Sequence, residues 1–230
     1  MISSSLAFND IEYLSKQLET RNSKTIFDYL YKFETIIDFL HCIKNTIFSV
    51  SEYSSFKIDK GDLALSSSEF LTNIPDKKIY TYKNNGLVYT LTYPKLKSGT
   101  YKQNLKTCIL DINNCKLSSL EIEEVIQKLC ITDYKALINF IEKNIISALN
   151  KIIIYNTKSE KYRKSFVYNN YSIYELLFCV CKYHLEYLHK IRIIMFKECN
   201  FSYREFETMT VEEINKYYKL LKQMYDRSNE

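Results

Sequence analysis

Glycine and proline are scarce in this chain, with only 3 and 2 residues among 230. Tight catalytic loops and flexible linkers are built largely from these two residue types, so the chain has little material for either. We therefore expect a compact helical body with few hinges. The hydrophobic fraction of 46% is ordinary for a globular protein, and this length allows one good-sized core or two small ones.

Arginine is also rare: only five occur, and lysine carries most of the net charge of +5. A protein dedicated to phosphate recognition normally uses arginine, because its planar guanidinium binds phosphate through two parallel hydrogen bonds. The mild positive charge therefore argues neither for nor against a nucleic-acid partner.

Long uncharged apolar runs and export signals are missing as well. The most apolar segment, Ser172 to Cys199, is interrupted by Glu175 and Arg192, so it predicts a buried core helix and no membrane span. Met1 to Phe8 has no basic start followed by an apolar run, which argues against a signal peptide. The seven scattered cysteines suit free thiols in a reducing compartment. We expect the protein in a cytoplasm or in a particle assembled there.

Catalytic and metal-binding signatures are lacking too: the sequence has no G-x-S-x-G elbow, P-loop, dinucleotide fingerprint or H-E-x-x-H motif. His41 and Cys42 diverge by about 100° on a helix and do not form a catalytic pair. Cys179 and Cys181 project about 200° apart, and Cys181 with His184 is too small a set for a metal. We therefore expect no enzymatic activity, no metal and no cofactor.

The hydrophobic pattern predicts an α+β protein that is mainly helical, with a helical N-terminal hairpin over residues 1–50. Asn9 or Asp10 can cap a first helix that ends near Thr20. A second, longer helix is predicted from Lys24 to about Val50, where apolar residues form a wide stripe.

Residues 51–117 read as a loop and β-hairpin region. A short strand is expected at Phe56 to Ile58. Ile79 to Lys83 and Leu87 to Tyr93 are rich in β-formers, and the Asn-Asn-Gly sequence between them is a strong signal for a hairpin turn.

Residues 118–230 read as a helical C-terminal domain that is part of one compact unit. Ser118 to Glu121 forms a capping box, in which a hydroxyl and a carboxylate satisfy the free amides at a helix start. Another helix begins at Thr132 or Asp133. Ile152 to Tyr155 and Ser165 to Tyr168 predict a second β-hairpin.

The segment after the long helix contains two more capping boxes, Ser202 to Glu205 and Thr210 to Glu213. They predict a sharp turn, a short helix and a last helix with one apolar face. Each buried side chain of that face is worth about 1.5 to 3 kcal/mol, so the face must cover either the chain's own core or a partner subunit. The candidate partner interface comprises Phe201, Tyr203, Phe206, Met209, Ile214, Tyr217, Tyr218 and Leu221.

Two basic zones with interleaved tyrosines form a candidate basic patch, the first running from Lys77 to Lys106. Lysines for phosphates and tyrosines for base stacking would suit single-stranded nucleic acid. A solvated face in a lysine-rich and tyrosine-rich protein is the simpler interpretation, and an acidic neighbouring protein would fit equally well. The patch comprises Lys77, Lys78, Lys83, Lys95, Lys97, Lys158, Lys161, Arg163 and Lys164.

The C-terminal segment resembles a known family. The features that carry the resemblance are a helix, a Phe-Ser-Tyr turn at Phe201, a Met-Thr-x-Glu-Glu-Ile sequence at Met209 and a closing helix. The segment is similar to the C-terminus of baseplate hub subunits and hub-assembly proteins of T-even-type, contractile-tailed phages. Leu129 to Leu137, where one helix stops and another begins, looks similar to that family's middle. The resemblance covers about the last 110 residues. One departure is that the chain lacks the cysteine pairs that many members carry in the region of Ile152 to Val167.

The resemblance implies a non-enzymatic structural or assembly component of a phage contractile tail, at or near the baseplate hub. Such a protein would be a virion protein assembled in the host cytoplasm, with other tail or baseplate subunits as its partners. Two alternatives remain open. One is a tail assembly chaperone that is absent from the mature particle, and the other is a single-stranded nucleic-acid-binding protein that uses the basic, tyrosine-rich hairpin.

Overall fold

The computed structural model describes residues 5–51, 56–57, 64–65, 70–97, 100–156 and 163–228, and confirms a mainly helical α+β fold. The helices are α1 (Phe8–Glu19), α2 (Ser23–Leu30), α3 (Ile36–Ser51), α4 (Tyr101–Lys106), α5 (Ser119–Lys128), α6 (Ile131–Ile141), α7 (Ser147–Leu149), α8 (Asn170–Cys199), α9 (Tyr203–Thr208) and α10 (Val211–Ser228). The strands are β1 (Phe56–Lys57), β2 (Ala64–Leu65), β3 (Phe70–Thr72), β4 (Tyr80–Asn84), β5 (Leu87–Leu91), β6 (Ile109–Ile112), β7 (Ile153–Asn156) and β8 (Arg163–Ser165). None of the described helices combines the length and the apolar character that a bilayer crossing needs.

The predicted continuous helix from Lys24 to Val50 is wrong, because the chain breaks between α2 and α3. Thr35 caps α3: its backbone amide and its hydroxyl both donate to Asp38 Oδ2, at 3.0 and 2.9 Å. The amide of Ile36 donates to the carbonyl of Pro94 at 2.8 Å, which fixes the start of α3 against the strand region. Phe33 is buried inside the break, so the apolar stripe continues although the helix does not.

The predicted hairpin of β4 and β5 is present, with Tyr80 opposite Leu91 and Asn84 opposite Leu87. Its turn places Asn85 at φ 45° and Gly86 at φ 77°, which are the positive angles that a two-residue hairpin turn requires. The sequence did not predict that β6 would pair antiparallel with β5 and extend the hairpin to three strands.

The second predicted hairpin is present as β7 paired with β8, but β8 shares only Ser165 with the predicted strand Ser165 to Tyr168, and the connecting segment 157–162 lies outside the described residues. The sequence did not predict its third strand, β3, which pairs antiparallel with β7 and brings Phe70 opposite Tyr155. At Phe56–Lys57 the expected strand pairs with Ala64–Leu65.

α9 and α10 begin at the predicted capping boxes, and α8 covers the predicted helix Ser172 to Cys199 with caps that were not predicted. The side chain of Asn169 caps α8 by accepting from the amide of Ser172 at 2.8 Å, and Asn200 ends this helix with φ 56°. The Ser202 capping box starts α9, and at the start of α10 Glu213 Oε2 accepts from the amide of Thr210 at 2.8 Å. α10 then packs chiefly against α3.

One continuous apolar core joins residues from all three sequence segments, 1–50, 51–117 and 118–230. The two ends of the chain meet within it: the amide of Phe8 donates to the carbonyl of Met209 at 3.0 Å, and the amide of Val211 donates to the carbonyl of Leu6 at 2.9 Å. The rings of Phe8 and Phe206 contact edge to face, with 5.0 Å between their centroids.

Candidate functional site

The eight residues of the predicted partner interface do not lie on one surface. Phe206 and Ile214 are enclosed by the chain's own core. Four others are half buried against that core: Phe201, Met209, Tyr218 and Leu221. Tyr203 and Tyr217 alone among the eight are largely exposed. Most of the predicted interface therefore has a packing role inside the protein.

α10 carries a second apolar face beside the buried one. Val211, Ile214 and Tyr218 point towards the core, whereas Tyr217, Leu220 and Met224 lie within about 60° of one another on the outer side. These three residues, here called the C-terminal stripe, are 45%, 56% and 69% exposed. The sequence analysis did not include Leu220 in the candidate interface. The adjacent Leu220 and Leu221 could have indicated a second apolar face, because adjacent helical positions cannot both face one core.

The helix that carries the stripe is held in place at both ends. The Thr210 capping box fixes its start, and the ring of Tyr217 contacts Phe201 with 5.4 Å between centroids. Near the other end the hydroxyl of Tyr225 donates to the carboxylate of Glu198 on α8, and this hydrogen bond raises the pKa of Tyr225. The stripe is thus an apolar surface on a fixed helix.

Tyr203 belongs to a different cluster, in which α1, α8 and α9 meet. The guanidinium of Arg192 lies 5.2 Å from the centroid of the Tyr203 ring and 5.4 Å from that of Phe8. Glu12 approaches this group from α1, with 3.8 Å to Arg192 and 3.6 Å to His189. The cluster joins helices of the same chain.

The candidate basic patch is divided among separate places. Lys77 pairs with Glu34 at 3.1 Å and with Asp38 at 2.8 Å, and the hydrogen bond to Asp38 raises its pKa. Lys164 pairs with Glu175 on α8. Lys78, Lys83 and Arg163 are exposed, Lys158 and Lys161 lie outside the described residues, and Lys95 and Lys97 line a cleft described below.

Four of the five tyrosines of the first basic zone pack inwards, whereas Tyr101 is 41% exposed. Tyr89 and Tyr93 are buried, and burial raises the pKa of both hydroxyls. The Tyr82 ring packs on Phe140 with 4.7 Å between centroids, and the hydroxyl of Tyr80 is 3.3 Å from that of Tyr93. These four rings therefore contribute to the core instead of presenting free faces for nucleotide bases.

A basic cleft of about 370 Å³ lies between the segment after β5, helix α4 and helix α5. Three lysines line it, Lys95, Lys97 and Lys106, together with Tyr31 and the single carboxylate of Glu123. Lys106 pairs with Glu123 at 2.6 Å, and this hydrogen bond lowers the pKa of Glu123. Tyr31 and Glu123 had no local signal in the sequence, because they come from helices that only the fold brings together.

The part of the chain that the structure describes contains no organised site for metal binding or thiol chemistry. No three His, Cys, Asp or Glu side chains lie close enough there to hold a metal ion. The side chains of Cys179 and His184 are outside that part. Cys42, Cys108 and Cys181 are buried thiols, and burial raises the pKa of Cys42 to about 12. Cys115 and Cys130 are exposed, and the Cys130 thiol accepts from the amide of Asp133 at the start of α6.

Comparison with protein-family models, with curated proteins and with solved structures finds no match to this chain.

Proposed function

We propose that this protein works without catalysis, as a structural or assembly component of a phage contractile tail at or near the baseplate hub. Its C-terminal stripe binds a neighbouring tail or baseplate subunit. The protein is then a virion protein, assembled in the host cytoplasm. The phage context is supported by the sequence resemblance of the last helices, and the mode of action is supported by the surface that those helices carry.

The exposed stripe on α10 is the observation that carries the proposal. Aromatic residues and methionine are enriched in the buried centres of protein interfaces, where charged residues are depleted. Tyr217, Leu220 and Met224 match that composition. One turn before Leu220, Lys216 pairs with Glu212 at 2.9 Å, so an ion pair borders the stripe on the same helix.

The mechanism is geometric. Because α10 is capped and packed on the core, the stripe is presented in one orientation and loses little conformational entropy when a partner covers it. A second subunit would bury these side chains much as the core already buries Ile214 and Tyr218 on the other face. The nucleic-acid alternative is less well supported, because the four described hairpin rings that would stack on bases pack into the core.

The proposal is tested by the double substitution Leu220→Asp and Met224→Asp, with Gln223→Asp as a control at an exposed polar position of the same helix. Both proteins should keep the wild-type circular dichroism, since exposed positions tolerate substitution within about 0.5 kcal/mol. Quantitative mass spectrometry should find the wild type and the control at a low fixed copy number in purified source particles. The stripe variant should fall by about tenfold or more relative to the lysate.

Three outcomes contradict the proposal in different ways. An unchanged copy number of the stripe variant would mean that α10 is not the interface. Wild-type protein that is present in the lysate but absent from particles would favour an assembly chaperone. Salt-sensitive binding to oligonucleotides, together with absence from particles, would favour the nucleic-acid-binding alternative.

A further inference from the structure

The basic cleft has an excess of positive charge. Of its four charged groups, Lys106 and Glu123 neutralise each other in an ion pair of 2.6 Å. Lys95 and Lys97 remain as additional cations at its edge. The hydrogen bond from Lys106 is the main cause of the lowered pKa of Glu123, and the charge of Lys97 adds to it, so Lys97 lies near this carboxylate. The cleft therefore favours an anionic occupant.

The segment that carries the two lysines is fixed by hydrogen bonds. The backbone amide of Lys95 donates to Thr107 Oγ1 at 2.9 Å, and the Thr107 hydroxyl donates to the carbonyl of Asn104 at 2.6 Å. The ammonium of Lys95 lies 5.5 Å from the centroid of the Tyr31 ring. Lys95 is thus presented from an ordered support, which reduces the entropy that binding would cost.

The remaining wall of the cleft combines three polar residues, Gln103, Thr107 and Ser119, with an apolar part. In that part Ile109 and Ile122 are buried, whereas Leu110 is 40% exposed and Leu117 is half-buried. A small inorganic anion would leave these side chains in water. An occupant that combines a negative charge with an adjacent apolar group would satisfy both parts of the cleft.

We propose that the basic cleft binds an acidic segment of a partner protein, in which an aspartate or glutamate stands next to an apolar residue. The carboxylate lies between Lys95 and Lys97, and the apolar side chain covers Leu110 and its neighbours. This inference rests on the proposed function, since it names a second contact with a neighbouring subunit. It concerns a surface distinct from the C-terminal stripe.

Charge and shape favour a peptide over nucleic acid at this place. No arginine, the residue that binds phosphate in bidentate fashion, is among the residues that line the cleft. Tyr31 is the single aromatic residue among its lining side chains, whereas single-strand binders stack successive bases on several rings.

The experiment measures binding of the purified full-length protein to an array of random decapeptides. We expect the bound peptides to be enriched in Asp or Glu adjacent to Leu, Ile, Phe or Tyr. The double variant Lys95→Glu and Lys97→Glu should lose about tenfold or more in affinity for the selected peptides. The matched variant Lys78→Glu and Lys83→Glu changes net charge equally at two exposed positions outside the cleft, and it should bind as the wild type does.

Several results would overturn this inference. They are the absence of any selected peptide, selection without acidic residues, and equal loss of affinity in both double variants. Tighter binding of a short oligothymidylate that depends on Lys95 and Lys97 would assign the cleft to nucleic acid. The stripe substitutions Leu220→Asp and Met224→Asp should leave peptide binding unchanged. Incorporation into particles therefore tests the proposed tail function, and peptide binding independently tests the proposed role of the cleft.

Discussion

His189 lies on α8, 3.6 Å from Glu12, and its Nδ1 atom is buried without a hydrogen-bond partner among the described residues. Burial lowers the pKa of the imidazole, and the positive charge of Arg192 lowers it further, while Glu12 acts in the opposite direction. The folded protein therefore holds this histidine in its neutral form to a lower pH than the unfolded chain does.

The lowered pKa predicts a pH-dependent stability. The unfolded histidine titrates near pH 6.5, so the stability due to neutral His189 is complete above about that value. It is lost as the pH falls from there through the lower pKa of the folded state, because the unfolded chain then binds the extra proton. Urea midpoints measured between about pH 5 and 8 should decrease towards acid, and less steeply in His189→Gln.

A wild-type and variant pair with the same pH dependence would show that His189 is not the titrating group. The comparison is clean in this window because the carboxylates with lowered pKa, such as Glu121 and Glu205, titrate at lower pH. Their hydrogen bonds in the capping boxes cause that lowering.

At the scale of the element, capping interactions determine where α3 starts after the break that follows α2. Apolar residues recur at helical spacing from Ile26 to Ile47, and this pattern predicted a single helix. Thr35 and Asp38 mark the start of the new helix, since the Asp38 carboxylate accepts hydrogen bonds from both the backbone amide and the hydroxyl of Thr35. A T-x-x-D pattern inside an apolar period was the signal available in the sequence.

Removal of the Thr35 hydroxyl tests this explanation. Thr35→Ala should lower the free energy of unfolding by about 0.5 to 2 kcal/mol, the usual cost of losing a helix cap. Ser23→Ala, an exposed residue inside the first turn of α2, should have little effect. Urea unfolding followed by circular dichroism measures both, and an equal effect of the two changes would mean that the cap does not stabilise α3.

At the scale of the whole molecule, the two termini form one structural unit. Leu6 and Phe8 are buried beside the loops that flank α9, and Ala7 forms a β-bridge with Thr210. α1 packs chiefly against α8 and also contacts α9. The C-terminal helices therefore depend on residues 6–8, from which Met209 to Val211 are separated by about 200 positions in sequence.

Phe8→Ala should therefore destabilise the C-terminal helices as well as α1. The expected loss is about 3 to 5 kcal/mol, as for other fully buried phenylalanines. Tyr13→Ala, on the exposed side of the same helix, should cost much less. Hydrogen exchange should show faster opening of α1, α9 and α10 together in the Phe8 variant, and protection that changes in α1 alone would contradict a single cooperative unit.

Short-range signals predicted much of the secondary structure. The capping boxes at Ser118, Ser202 and Thr210 start helices as expected, and the turn at Asn85 and Gly86 closes the predicted hairpin. Each of these signals involves residues within four positions of one another. Their geometry is set by local hydrogen bonds and backbone sterics, so the amino-acid order is enough.

The candidate sites could be predicted only in part. Lys95 and Lys97 were recognised as basic residues, yet Glu123 and Tyr31 join them through packing between distant helices. In the same way the last helix was recognised as amphipathic, while Phe206 and Ile214 turned out to be core residues and Leu220 a surface residue. Sequence periodicity gives the direction of a side chain around its own helix. It does not show whether another element of the fold covers that side chain.

The sequence by itself therefore determined the helical class, most element boundaries and the positions of caps and turns. The tertiary structure decided the pairing of β3 with β7 and of β5 with β6, the contact between the chain ends, and which apolar face of α10 remains in water. The physical reason is the range of the interactions. Caps and turns are satisfied within one or two turns of chain, whereas strand pairing and burial depend on surfaces that meet only once the whole chain has folded.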